Sequence, residues 1–121
     1  MSPRTSPGAS RRDTAEAALR RSAPVFAALG DPTRLRLIAA LGAGGALSIA
    51  QLTTGTDVTR QAVTKHLNVL AEAGLVRDLK SGRERLWAFE PSRLDEARRS
   101  LEAIAQQWDR ALLRLKAAVE D

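Results

Sequence analysis

Six polar residues between positions 59 and 68 carry side chains that could recognise DNA base edges and the phosphates beside them. They are Thr59, Arg60, Gln61, Thr64, Lys65 and Asn68. Arginine and lysine donate hydrogen bonds to guanine, glutamine and asparagine pair with adenine, and threonine reaches a phosphate or the thymine methyl group. This chemistry matches direct readout of double-stranded DNA, although the same residue types also occur on ordinary solvated helix faces.

These residues fall on one side of a predicted helix that begins near Thr59 and ends before Gly74. The other side is apolar, with Ala62, Val63, Leu67, Leu70 and Ala73. A short helix over residues 49–53, capped by Ser48, and a turn through Gly55 precede it. This order predicts a helix-turn-helix, whose second helix enters the major groove and directs its positive dipole end, at Thr59, to a phosphate.

A basic hairpin is predicted directly after this helix. Strands over residues 76–79 and 85–89 flank a turn in which Gly82 supplies a positive φ. We expect Arg83 and Arg85 to contact the DNA backbone or minor groove. Residues 59–85 hold six basic and three acidic residues, whereas residues 91–121 hold six of each. The positive excess therefore lies before the last helix, partly in a predicted reading unit over residues 46–90.

A long helix with a heptad stripe is predicted over residues 92–119. Its apolar residues follow alternating steps of three and four, and those expected to form a dimer interface are Leu94, Leu101, Ile104, Trp108, Leu112 and Leu115. A helix of this length extends about 40 Å, well beyond a domain whose radius of gyration is about 14 Å. We therefore expect a homodimer in which a first helix, over residues 14–29, also takes part. The alternatives are a helix packed only within its own chain and, for Trp108, the lining of an effector pocket.

Composition restricts the remaining classes of function. The formal net charge is +5, there is no cysteine, and there is one histidine. These counts exclude disulfides, thiolate metal sites, a cysteine nucleophile and a site built on several histidines. No Gly-rich phosphate loop or nucleophile–base–acid set is present, so we expect no catalytic residues, no metal and no cofactor. The longest apolar run is too short for a membrane span, which needs ~18 residues, and we expect no signal peptide.

Domain organisation follows from these patterns. The first 12 residues are rich in Pro, Ser and Arg and contain no acid, so they are predicted to be a disordered basic tail. Residues 13–121 are predicted to form one domain, mainly α-helical with a small β-hairpin wing. The expected location is the cytoplasm, in association with the nucleoid.

Three runs of sequence resemble a known family. FAALGDPTRLRLIAAL, VTRQAVTKHLNVLAEAGLV and SGRERLWAF are similar to the ArsR-type (arsenic-repressor-like) winged helix-turn-helix regulators of bacteria, over roughly residues 25–89. The resemblance implies a homodimer that binds an inverted-repeat operator as a transcriptional repressor. One family metal site uses Leu-Cys-Val-Cys, where this chain has Leu-Ser-Ile-Ala at positions 47–50, and another needs histidines that its last helix lacks. The resemblance is therefore to members without the metal sites, and it leaves the operator, the regulated genes and any small-molecule effector unknown.

Other functions remain open at this stage. A protein–protein adaptor could use the same winged fold without nucleic acid, and a DNA-compacting protein could bind without sequence preference. His66 lies at the edge of the apolar side of its helix, as a structural residue, a phosphate neighbour or a pH-sensitive group. Trp87 and Phe89 are expected to pack in the core.

Overall fold

Five helices and three strands form the part of the chain that the computed structural model describes, residues 7–120. The helices are α1 (Pro7–Leu29), α2 (Pro32–Gly44), α3 (Ile49–Thr53), α4 (Arg60–Glu72) and α5 (Pro91–Glu120). The strands β1 (Leu47–Ser48), β2 (Val76–Ser81) and β3 (Glu84–Phe89) form an antiparallel sheet in the order β1-β3-β2. This architecture confirms the predicted fold, mainly helical with a hairpin wing and a long last helix.

The corner between α1 and α2 is fixed by an aspartate cap. Asp31 precedes the helix in an extended conformation, and its carboxylate accepts a hydrogen bond from the backbone N–H of Arg34 at 3.0 Å. Pro32 occupies the first helical position, where its missing N–H costs nothing. The Arg34 N–H bond, opposed in part by desolvation, lowers the pKa of the Asp31 carboxyl. The Asp31-Pro32 pair is typical of a helix start in sequence, and α2 begins there.

The wing is a regular hairpin with a glycine turn. Val76 pairs with Phe89 at its base, and Ser81 pairs with Glu84 at its tip. Gly82 in the turn has a φ of +63°, a conformation that side chains on L-residues rarely adopt, as predicted. A second glycine, Gly74, ends α4 with a φ of +79°, and a Cβ added there would lie 2.9 Å from Cγ of Arg93.

One hydrophobic core lies where α1, α2 and α4 meet the sheet. Its largest fully buried side chains include Trp87 of β3 and Leu41 of α2, and α5 contributes Ala97 near its start. Leu67 and Leu70 of α4 and Leu75 before the wing have no exposed surface. This core orients both α4 and the wing, and it confirms the predicted burial of Trp87.

Three features differ from the sequence-based expectations. The first helix begins at Pro7, not near Thr14, so residues 7–12 of the predicted tail belong to α1, and residues 1–6 lie outside the described part. The helix also continues through Pro24 as a single element, although a proline at this point of the sequence is expected to kink the helix or restart it. Strand β1 was not predicted, because two residues are too short to show an alternating pattern.

The charge of Asp31 predicts a pH-dependent contribution to stability. A carboxyl whose pKa is lowered in the folded state stabilises that state above its unfolded-state pKa, and the effect disappears as pH falls through the folded-state value. We expect Asp31→Asn, which keeps a capping side chain without the charge, to melt below the wild type at pH 7. The gap should begin to narrow near the usual carboxyl value of 3.8 and close once the pH falls below the lower folded-state pKa.

Thermal unfolding followed by circular dichroism over a pH series measures this gap. Asp31→Ala serves as the reference, because it removes the cap at every pH and should stay below the wild type throughout. A gap between wild type and Asp31→Asn that does not change with pH would contradict the role given to the carboxylate charge.

Candidate nucleic-acid interface

A capping box holds the short helix α3 at the start of the helix-turn-helix. The Ser48 hydroxyl accepts a hydrogen bond from the Gln51 N–H at 3.1 Å, and the Gln51 side chain accepts one from the Ser48 N–H at 2.9 Å. Ser48 also belongs to β1, where it pairs with Leu86 of β3. One buried serine therefore connects the helix-turn-helix to the wing. The chain then turns at Gly55, which has a φ of +78°.

Helix α4 has one buried side and one exposed side. Val63, Leu67 and Leu70 are buried in the core. The opposite side, here called the polar face of α4, brings together all six residues predicted on this helix, Thr59 at its cap and Arg60, Gln61, Thr64, Lys65 and Asn68 within it. All of these are exposed except Thr64, which is half-buried. The face carries cations, amides and hydroxyls over the first two and a half turns of the helix.

Both threonines of the polar face form hydrogen bonds inside the helix. The Thr59 hydroxyl accepts a bond from the Ala62 N–H at 3.1 Å, and the Thr64 hydroxyl donates to the Arg60 carbonyl at 2.9 Å. A hydroxyl has one donor and two acceptor sites. The Thr59 hydroxyl can therefore still donate a hydrogen bond to an anion. The Thr64 hydroxyl has already donated its proton, but it can still accept a hydrogen bond next to its methyl group.

The wing places Arg83 and Arg85 in different environments. Arg83 is exposed next to the turn at Gly82. Arg85 forms an ion pair with Asp78 at 2.6 Å, and its guanidinium lies 5.1 Å from the centre of the Trp87 ring. The hydrogen bond and charge of Asp78 raise the pKa of Arg85. Asp78 thus offsets the positive charge of Arg85, a contact that the sequence pattern did not reveal.

Several cations of α4 and of the wing have no carboxylate partner among the described residues. Among residues 7–120, no ion pair engages Arg60, Lys65, Lys80 or Arg83. Lys80 was missing from the predicted site, although it is exposed and lies opposite Arg85 in the hairpin. The hairpin register would have indicated Lys80, because it places this lysine one residue pair from the tip of the wing.

A second surface lies on α5. The residues predicted for a dimer interface form an apolar stripe of α5, with Leu94 half-buried against the core and Leu101, Ile104, Trp108, Leu112 and Leu115 exposed. Helix α1 packs beside the first part of α5, where Arg21 forms an ion pair with Glu96 at 3.0 Å. From position 101 onward, every residue of α5 is exposed in the single chain except half-buried Ala111. No element within residues 7–120 covers this part of the stripe.

Residues 7–120 contain no cluster of three or more His, Cys, Asp or Glu side chains that could hold a metal ion. Within the same range, no helix has the length and apolar character needed to cross a membrane. His66 lies beside Arg34 and Asp31 on the inner edge of α4 and is half-buried.

Comparisons with known proteins agree with this geometry. Residues 29–78 match the model of a helix-turn-helix domain family. An HTH-type transcriptional regulator of Mycobacterium tuberculosis is 38% identical over 85 residues, covering 70% of this chain and 76% of the relative. The arsenical resistance operon repressor of Escherichia coli is 36% identical over 59 residues, covering 49% of this chain and 50% of that protein.

A solved structure shows the same fold. An ArsR-like transcriptional regulator from Rhodococcus sp. RHA1 superposes with a TM-score of 0.70 and 40% sequence identity. The superposition covers 81% of this chain and 92% of that chain. The similarity therefore includes most of the chain and extends beyond the helix-turn-helix.

The Ser48 capping box predicts a measurable loss of stability. We expect Ser48→Ala to lower the free energy of unfolding by about 1 kcal/mol, because the first turn of α3 loses its hydroxyl acceptor. Chemical denaturation measures the change, which should appear as a lower midpoint with an unchanged slope. Ser92→Ala, at an exposed position in the first turn of α5, is the matched control and should change stability by less than about 0.5 kcal/mol. Equal effects of the two substitutions would contradict the capping role.

Proposed function

Because the chain belongs to the ArsR-type winged helix-turn-helix regulators, a family of DNA-binding transcription regulators and not of enzymes, we propose that it is a homodimeric repressor. It binds an inverted-repeat operator on the chromosome in the cytoplasm, with α4 in the major groove and the wing beside it. The regulator of Mycobacterium tuberculosis and the Escherichia coli repressor support this class of function.

The observation that carries the proposal is the polar face of α4. Arg60 and Lys65 are exposed there without carboxylate partners among the described residues, next to the amides of Gln61 and Asn68. Unpaired cations are available for phosphates and guanine, and the amides for adenine. Arg83 and Lys80 extend the same positive surface onto the wing, whereas Arg85 reaches DNA only in competition with Asp78.

The apolar stripe of α5 supports the homodimer. Its residues recur at heptad spacing over a helix of 30 residues, or about 45 Å. Two copies of such a stripe can cover one another in an isologous interface. A dimer also presents two α4 helices, which an inverted repeat requires.

The side chains at the position of one family metal site support a regulator that does not sense metal ions. Ser48, Ile49 and Ala50 occupy the region where some relatives carry thiolates, and the chain contains no cysteine. Hydroxyl and methyl groups do not bind soft divalent cations such as Zn²⁺ with useful affinity.

Removal of two cations from the polar face should weaken operator binding. We expect Arg60→Ala/Lys65→Ala to lose at least about tenfold in affinity, because each contact is worth on the order of 1–3 kcal/mol. Fluorescence anisotropy measures this with a duplex that the wild type selects from a random pool. Arg110→Ala/Lys116→Ala is the charge-matched control, since it removes two exposed cations from α5 away from the apolar stripe. Wild-type affinity in the first double variant would contradict the assignment of α4.

A salt titration of the wild type separates the competing functions. A repressor should lose affinity steeply as salt rises, because each neutralised phosphate releases counterions. A chain that binds no DNA while remaining folded and dimeric would support the adaptor. Equal affinity for the selected duplex and for random DNA would support the compacting protein.

The proposed dimer interface predicts that the same substitution at two equally exposed positions of α5 has different effects on the mass of the protein in solution. In the single chain, Trp108 is 65% exposed and Leu113 is 66% exposed, but only Trp108 lies in the heptad stripe. We expect Trp108→Glu to halve the mass measured by sedimentation at micromolar concentration, because it places charge in the interface. Leu113→Glu, on the opposite side of α5, should remain dimeric. A monomeric wild type, or equal masses for the two variants, would contradict the interface.

A further inference from the structure

Three helices meet at a small polar cluster behind the polar face of α4. His66 lies on α4 with 24% of its side chain exposed. Its Nδ1 atom is 3.3 Å from a terminal nitrogen of Arg34 and 3.9 Å from a carboxylate oxygen of Asp31. The Arg34 Nε–H donates to the carbonyl of Ala28 in the last turn of α1. Arg34 therefore connects the end of α1, the start of α2 and the middle of α4.

The chemistry of the cluster determines which partner donates in the contact between Arg34 and His66. A guanidinium only donates hydrogen bonds, so Nδ1 of His66 accepts in this contact and the ring N–H is assigned to Nε2. The carboxylate of Asp31 accepts from the Arg34 backbone N–H at 3.0 Å and counters the guanidinium charge. Each member of the cluster thus holds a defined orientation.

This cluster supplies a directional contact that the core of α4 lacks. Val63, Leu67 and Leu70 contact the rest of the core through apolar surface, which attracts without fixing a direction. A hydrogen bond weakens steeply when its angle changes. His66 directly follows Lys65 in the chain, so rotation of α4 about its axis would move the histidine off Arg34 and the polar face off its target together.

We propose that His66 is a positioning residue, which locks the rotation of α4 through Arg34 so that the polar face meets base edges in register. The inference rests on the proposed DNA-binding function and goes beyond it by assigning sequence discrimination to a residue outside the polar face. Its consequence is selective: loss of the contact lowers the preference for the operator over random DNA. Affinity for random DNA depends on the cations of the surface and is retained.

The test compares four single variants of the full chain, each with two duplexes of equal length. One duplex is the sequence that the wild type selects from a random pool, and the other has random sequence. The readout is the ratio of the two dissociation constants, with melting temperature and mass recorded alongside. We expect His66→Leu to reduce the ratio about tenfold, in line with a hydrogen bond to a charged group. His66→Asn, whose amide oxygen can occupy the place of Nδ1, should restore part of the ratio.

Two arginine variants test the same contact from its other side and provide the matched control. Arg34→Gln should reduce the ratio as His66→Leu does, whereas Arg36→Gln removes the same charge from an exposed position on α2 and should leave the ratio unchanged. If His66→Leu fails to fold, the contrast between Arg34→Gln and Arg36→Gln decides the question.

The outcomes separate the two proposals. An unchanged ratio in folded, dimeric His66→Leu and Arg34→Gln overturns the positioning role and leaves the repressor intact. Equal losses in Arg34→Gln and Arg36→Gln, or a random-duplex affinity that falls as far as the operator affinity, also overturn it. A wild type that selects no duplex from the pool overturns the repressor itself, and the positioning role with it.

Discussion

Burial of one side of α4 is the constraint on which the rest of the structure depends. Leu67 and Leu70 have no exposed surface, and Val63 has almost none, so the helix has little freedom to present a different side. The polar face is exposed because the apolar side must be covered by α1, α2 and the sheet. Core packing therefore determines which side of α4 faces outward, while its exact rotation depends on directional contacts. Gly74 allows the chain to leave this helix directly into the wing.

Charge pairing distinguishes the two surfaces of the molecule for which different partners are proposed. On α5, Arg98 bridges Asp95 and Glu102, and Lys116 lies 4.0 Å from Glu120, so much of the charge is balanced along the helix. This leaves the apolar stripe of α5 as the feature that needs covering. On α4 and the wing, the cations at positions 60, 65, 80 and 83 form no ion pair within residues 7–120. Unpaired cations suit the proposed contact with DNA, and a charge-balanced helix with an apolar stripe suits the proposed contact with a second copy.

Local signals allowed much of this fold to be predicted, and non-local contacts account for what was missed. The starts of α2, α3 and α4 depend on Asp31, Ser48 and Thr59, each of which acts within three residues of itself. Strand β1 exists only because β3 lies beside it, and the pairing of Arg85 with Asp78 follows from a diagonal placement in the hairpin register. The contact between Arg34 and His66 spans 32 residues and has no periodic signature. The earlier start of α1 extends a helix through a segment whose composition favours disorder.

Helix α1 is the element that relates the two surfaces to one another. It packs against α5, with Arg21 bound to Glu96, and it also contacts α4. At its end, the Ala28 carbonyl is held by the same guanidinium that contacts His66. A dimer that reads two half-sites must hold its reading helices about 34 Å apart, or a multiple of that spacing. In the proposed homodimer, two contacts set that distance, one between α1 and α5 and one between α1 and α4. Because both contacts lie on one helix, a rigid α1 in that dimer converts pairing of the α5 stripes into a fixed separation of the polar faces.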